Sequence, residues 1–257
     1  MKTFLRTYKE PKRLVKYLNI KFLGKKIGDL DRLKIYFEGK TGLEIGGPSN
    51  IFRPKGYIPV YSLAERVDGC NFSNNTVWEH TIEPGLTYNF NGANKGYQYI
   101  ADATELRVIP DEKYDFVLSS HSLEHIANPF RALNEWIRVL KKGGMLLIIV
   151  PDPKYTFDNK RPVTDFGHLL EDYKHNRAED DATHVDEILS LHDVSLDPGI
   201  TDFEEFKKRS LENFSNRCLH HHVFNVALLE QIFGFLNVET VVTDVAPPFN
   251  LIIAGVK

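Results

Sequence analysis

The chain has 257 residues, 42% hydrophobic and 26% charged, a composition that suits one soluble α/β domain with room for an insertion. Its net charge of −3 is too small to require a polyanionic partner. Two cysteines, Cys70 and Cys218, exclude a disulfide framework and form no C-x-x-C zinc pair, and no apolar run reaches the roughly 18 residues that span a bilayer.

Residues 1–40 are predicted to form a basic helical arm. Up to Lys26 the chain carries nine Lys/Arg (2, 6, 9, 12, 13, 16, 21, 25 and 26) against Glu10 alone. Leu14, Val15, Leu18, Phe22 and Leu23 recur among them at helical spacing. A solvated helix packed on the domain is the plain expectation. The sharper one is a peripheral contact of residues 1–26 with anionic lipid, each basic group adding on the order of 1 kcal/mol. No apolar core followed by a small-residue cleavage site reads as a signal peptide, so a cytoplasmic setting is expected, with peripheral contact at the inner face of the membrane.

From Thr41 short apolar runs alternate with helical stretches, so residues 41–257 are predicted to form one α/β domain around a doubly wound sheet. Strands are expected at Gly42–Gly47, Arg66–Phe72, Tyr97–Ala101 and Tyr114–Ser119. A helix follows over Pro129–Leu140, with Lys141-Lys142-Gly143-Gly144 as its basic, glycine-capped end. Met145–Val150 is a continuous apolar run, the mark of a strand covered on both faces. Residues 151–222 break this rhythm. They are acidic and hold seven of the ten histidines, and they are predicted to form a lid insertion. Alternation resumes with a helix over Ala227–Leu236 and strands at Val238–Asp244 and Leu251–Val256, joined by a turn at Pro247-Pro248.

In such a sheet, ligands sit beyond the carboxyl ends of the strands, where the winding reverses. Four segments fall there: Glu44-Ile45-Gly46-Gly47-Pro48-Ser49, Gly69-Cys70-Asn71-Phe72-Ser73, Ala101-Asp102-Ala103 and Ser119-Ser120-His121-Ser122-Leu123-Glu124-His125. Together with Asn128-Pro129-Phe130-Arg131-Ala132-Leu133 and Leu140-Lys141-Lys142-Gly143-Gly144, they resemble the class I S-adenosylmethionine (SAM)-dependent methyltransferases of the type 11 kind. The resemblance covers residues 41–153 strongly and 223–257 in outline. It implies a Rossmann-like, seven-stranded, doubly wound sheet whose last strand is antiparallel.

The resemblance also implies roles. Glu44, Gly46 and Gly47 would line the methionine end of SAM. Asp102, with Ala103 beside it, would receive the adenine amino group, and Ser120 and His121 would sit near the sulfonium. The ribose contact falls on Asn71, with Asp68 as the competing candidate. Two departures stand out: Asn71 replaces the family's carboxylate, and Pro48 stands where the first motif has glycine, so the helix after the first strand must be short or displaced. A dinucleotide site would need a third glycine opening a long helix, which residues 46–51 lack. A phosphate-binding P-loop and a nucleophile elbow are absent as well.

Methyl transfer to a hydroxyl requires alignment of the acceptor and removal of its proton, and histidine titrates in the right range. His125 is one candidate base. The run His220-His221-His222 supplies others, His221 and His222 among them. In an extended segment His220 and His222 would share one face. His168, His175, His184 and His192 fit no established metal motif, so a divalent ion is admitted but not favoured as a cofactor. Arg161 or Arg177 could pair with an anionic acceptor. An acidic lid disfavours nucleic acid. O-methylation of a carbohydrate-like or other small molecule is expected, a glycan association resting on resemblance alone. The alternative is a SAM- or nucleotide-binding regulatory or scaffold protein without catalysis.

Overall fold

The computed structural model describes residues 10–92 and 94–257. In chain order these form α1 (Pro11–Leu23), α2 (Leu30–Phe37), β1 (Thr41–Ile45), β2 (Arg66–Asn71), β3 (Gly85–Asn91), β4 (Asn94–Ile100), β5 (Tyr114–Ser120), α3 (Pro129–Val139) and β6 (Leu140–Pro151). Then follow α4 (Phe166–Lys174), α5 (Val185–Leu191), α6 (Phe203–Leu211), α7 (Asn213–Asn216), α8 (Val226–Phe235), β7 (Glu239–Ala246) and β8 (Asn250–Val256). The strands make one sheet in the order β3-β4-β2-β1-β5-β6-β8-β7.

The five central strands, β4 through β6 in that order, are parallel. β8 runs antiparallel to both β6 and β7. The chain winds from β1 outward through β2 to β4 and returns to β5 on the other side, so β1 and β5 flank the switch point. The sheet therefore has eight strands where seven were expected. The additional one is β3, an antiparallel edge strand on β4. Only Tyr88 and Phe90 of β3 are buried, too few to stand out as an apolar run.

Alternate residues of the central strands feed two cores, one on each face. Leu146, Ile148 and Val150 of β6 join Val117, Phe130, Leu133, Trp136 and Leu229 on one side. Met145, Leu147 and Ile149 join Phe37, Phe116, Leu118 and Ile252 on the other. Burial on both sides is what makes β6 a continuous apolar run. α3 starts at Pro129, with the Asn128 side chain accepting from the Arg131 N–H at 3.1 Å. Its end differs from expectation. The helix stops at Val139 and Leu140 turns extended to pair with Tyr114, so Lys141–Gly144 belong to β6 rather than to a helix cap. Sheet pairing of a fully buried Leu140 overrides the local capping signal.

α1 buries none of its residues and is held by charge. Arg13 donates to Asp152 and to the Pro248 carbonyl, each at 2.9 Å, and lies 3.7 Å over the Tyr155 ring. Lys16 meets Asp244 at 2.5 Å. Lys2, Arg6 and Lys9, part of the stretch expected to touch membrane, lie outside the described residues. Among the described residues no helix is long and apolar enough to cross a membrane.

The insertion folds as four helices, α4 to α7, around a small core of Val185, Ile188, Phe206 and Leu219. His192 is stacked between Phe157 at 4.4 Å and Phe206 at 3.9 Å. Phe166 instead packs on the main core, while Tyr173, Phe203 and Phe214 remain largely exposed.

Candidate functional site

One cavity of ≈ 1560 Å³ opens at the carboxyl ends of β1, β2, β4 and β5, roofed by the insertion, the β7–β8 turn and Ile20 of α1. Its floor begins with Gly46 and Gly47. Gly46 has φ +77°, and a Cβ there would meet the Ser122 hydroxyl at 2.3 Å. A Cβ on Gly47 would strike the Glu44 carboxyl at 2.2 Å. Both positions require glycine, the first for its backbone conformation as well. The result is a bare backbone cradle.

Glu44 does not line this cavity. It is fully buried beneath the cradle, accepting from the Ser49 N–H at 3.0 Å and from the hydroxyls of Tyr61 and Tyr88. Burial raises its pKa against the pull of those hydrogen bonds. Its observed work is to fold the loop back on itself. Only short 3₁₀ turns at Asn50–Phe52 and Val60–Ser62 follow before β2, in keeping with the interruption by Pro48.

Asn71 lines the cavity, its Nδ2 3.4 Å from the Gly47 carbonyl. Asp68 does not. It sits mid-strand in β2, spent on Arg66 at 2.7 Å, the Tyr97 N–H at 2.8 Å and the Tyr114 hydroxyl at 2.8 Å. Asp68 is thereby corrected from a cofactor candidate to a strand-linking residue.

Asp102 and Ala103 line the wall past β4. Burial pushes the Asp102 carboxyl up, but the Thr104 N–H and hydroxyl and the Arg217 guanidinium more than offset it, so its pKa is lowered. Arg217 reaches Asp102 and Glu179 at 3.2 Å each and lies 5.4 Å over the Phe72 ring. Arg217 carries no local signal of this role, because it lies 115 positions from Asp102 along the chain. Arg161 and Arg177 turn away from the cavity: Arg161 is buried on Asp158 and Glu187, and Arg177 pairs with Asp181.

Past β5, Ser120, His121, Ser122, Glu124 and His125 all line the cavity. His121 has φ +54°, and its Nε2 contacts the Asn250 side chain at 2.7 Å. Burial works against its protonation, but Glu124 and Asn250 win and raise its pKa. Glu124 is 1% exposed, yet neither carboxylate oxygen has a hydrogen-bond partner. Burial opposes its charge, while His121, His125 and His220 together lower its pKa. His121 Nδ1 lies 3.5 Å from one of its oxygens, but a buried carboxylate without a hydrogen bond on a cavity wall is costly unless a further cationic or hydrogen-bonding group completes it.

His125 places Nδ1 3.0 Å from the Leu219 carbonyl, which fixes the tautomer and leaves Nε2 as a free lone pair. Burial, helped by His220, pushes its pKa down to about 3. His220 is oriented in the same way, with Nδ1 at 2.6 Å from Asp158. Donor atoms of Glu124, His125 and His220 lie within 4.8 Å of one another.

His221 and His222 are not in this group. Each is 1% exposed and neither borders the cavity. His221 bonds Asn213 at 3.0 Å, and His222 lies against the insertion histidines. The segment is not a strand, so the alternation that would align His220 with His222 does not apply. Both leave the set of catalytic candidates, His220 remains in it, and Glu124 enters it.

Residues 60–148 match the family described as "Methyltransferase domain". No curated protein matches the chain. A solved SAM-dependent methyltransferase from Methanosarcina mazei aligns with a TM-score of 0.51 at 16% identity, covering 90% of this chain and 98% of that one. One from Aquifex aeolicus gives 0.47 at 14%, covering 98% and 97%. The 1,6-didemethyltoxoflavin-N1-methyltransferase of Burkholderia thailandensis, solved with its substrate and S-adenosylhomocysteine, gives 0.47 at 11%, covering 99% and 88%. The chain thus has the Rossmann-like fold of the SAM-dependent methyltransferases, and residues 60–148 within it are similar to a methyltransferase domain family.

Proposed function

We propose that the protein binds SAM and transfers its methyl group to a hydroxyl of a carbohydrate-like or other small-molecule acceptor. What carries the reading is the meeting of four parallel-strand tips on one cavity, with a glycine cradle at β1, Asn71 at β2, Asp102 at β4 and Ser120 at β5. The residues fit such a cofactor. Gly46 and Gly47 leave the turn at the β1 tip without side chains on the cavity wall, and the Glu124 carboxylate, buried on that wall without a hydrogen bond, suits a cationic group. When bound, SAM supplies a methyl group activated by positive sulfur.

The protein's own part is placement and proton handling. Gly46 and Gly47 bring backbone close to the ligand, and Asp102 offers an acceptor oxygen past β4. At ≈ 1560 Å³ the cavity exceeds the 300–1,000 Å³ of an ordinary single-ligand pocket by roughly half again, which leaves room for an acceptor. Trp78, Tyr155, Phe157 and Phe249, interspersed with Glu179, Ser195, Asp197 and Arg209, give the mixture of flat apolar faces and polar groups that a sugar requires.

His125 Nε2 takes the acceptor's proton in this reading, and the Glu124 carboxylate stabilises the imidazolium that results. Incubating the protein with methyl-labelled SAM and a panel of sugars, polyols and phenols tests it. Label appearing in an acceptor as a methyl ether supports the proposal. SAM binding without transfer to any acceptor supports a regulatory binding protein, and absence of SAM binding removes both readings.

A further inference from the structure

Outside the cavity, four side chains from distant parts of the insertion converge. His168 and Asp172 lie one turn apart on α4, His184 immediately precedes α5, and His222 stands on the return to the sheet. One donor atom from each lies within 4.8 Å of all the others. The measured edges are 3.1 Å between the Nε2 atoms of His168 and His184, 3.3 Å from His168 Nε2 to Asp172 Oδ2, and 3.6 Å from His222 Nε2 to the same oxygen.

We infer that these four residues form a structural zinc site. A tetrahedron with metal–nitrogen and metal–oxygen bonds of about 2.0–2.1 Å has edges of about 3.3 Å, and the three measured edges bracket that value. Three neutral imidazoles and one carboxylate are a zinc donor set. Four protein ligands close the coordination sphere, which is the structural rather than the catalytic arrangement.

Protein contacts alone leave the cluster badly satisfied. Two imidazole Nε2 atoms face each other, and the buried Asp172 Oδ2 has no hydrogen-bond partner. A cation at the centre answers both, at the expense of the 3.2 Å contact between His222 Nε2 and the Ala127 carbonyl. The ion would tie α4, the α4–α5 connection and the segment before α8 to one another. His220, which borders the cavity, is two residues from a ligand, so the ion would also fix that wall.

The test uses the full chain, stripped with a chelator and then titrated with Zn²⁺, and separately with Co²⁺ as a spectroscopic probe. One equivalent should bind, Co²⁺ should show the intense visible bands of four-coordinate geometry, and Zn²⁺ should raise the melting temperature. His184→Ala and the near-isosteric Asp172→Asn should each weaken Zn²⁺ binding by roughly 100-fold or more, whereas Glu124→Gln on the cavity wall should leave it unchanged. Asp172→Asn keeps the shape of the side chain, so the test survives if His184→Ala misfolds. No uptake by the wild-type chain, undiminished uptake by Asp172→Asn, or loss in Glu124→Gln would each overturn the inference.

Discussion

Single side chains decide whether the cavity can do what its shape suggests. Replacing Asp102 with Ala removes a carboxylate whose charged form is already favoured, and should weaken SAM binding by about 1–3 kcal/mol; titration calorimetry reads this directly. Gly46→Ala should cost about 1–3 kcal/mol in backbone strain alone, because φ is +77° and the new Cβ would meet Ser122 at 2.3 Å. Denaturant unfolding and cofactor affinity should both record the loss. His125→Ala should lower turnover by about 10²-fold or more while SAM affinity changes little; unchanged turnover would move the proton acceptor to Glu124. The pH profile adds a sign. With a pKa pushed down to about 3, His125 is already in its base form throughout the neutral range. His125 should therefore contribute no inflection to the kcat/KM profile near pH 6.5, the ordinary histidine value, and should lose its base form only in strong acid.

At the scale of elements, the insertion stands on buried charge more than on its small core. Arg161, 6% exposed, donates to Asp158 at 3.0 Å, to Glu187 at 2.9 Å and to the carbonyls of His220 and His221. Asp158→Ala leaves that guanidinium and His220 short of a partner, and should destabilise the fold by about 3–5 kcal/mol in urea unfolding. Burial works against the Asp158 charge, but His220 and Arg161 hold its pKa down at about 2, below the usual carboxylate range. A depressed carboxylate stabilises the fold fully above its unfolded pKa, and that contribution fades as pH falls through the folded one. The Asp158 share should thus be intact above about pH 5 and disappear toward pH 2, which a comparison of wild type and Asp158→Asn across that range would show.

The same elements show what a linear sequence conveys. β6 was legible because Met145–Val150 is buried on both faces and apolar throughout, β5 because Phe116, Val117 and Leu118 form a buried apolar run, and α3 because Phe130, Leu133 and Trp136 fall on one face. β3 was not, since Tyr88 and Phe90 alone mark it as an exposed edge. The end of α3 was misread because a local cap signal competed with a long-range strand pairing. Asn71, Asp102 and Ser120 lie at strand tips that the pattern locates to within a residue or two. The roles of Asp68 and Glu44 were hidden, because which polar group satisfies a buried carboxylate depends on Tyr114, Tyr61 and Tyr88, remote in sequence. The insertion has neither period, so the pairings of Arg217 and the gathering of His168, Asp172, His184 and His222 become visible only in three dimensions.

The described residues form a three-layer sheet domain in which the arm and the insertion both border the cavity at the strand tips. Arg13 and Lys16 dock α1 on Asp152 and Asp244, and Arg217 docks the insertion on Asp102. A ligand seated against Gly46 and Asp102 would touch elements from both ends of the chain, so its binding should stabilise the global fold, by about 2.7 kcal/mol at a hundredfold excess over Kd. Calorimetric titration of the full chain with S-adenosylhomocysteine, the spent form of SAM, is the most direct measurement. One site per chain, weakened in Asp102→Ala and in Gly46→Ala, is the expected result. No heat of binding to the wild-type protein, or equal affinity in wild type and both variants, would contradict a cofactor site at these strand tips.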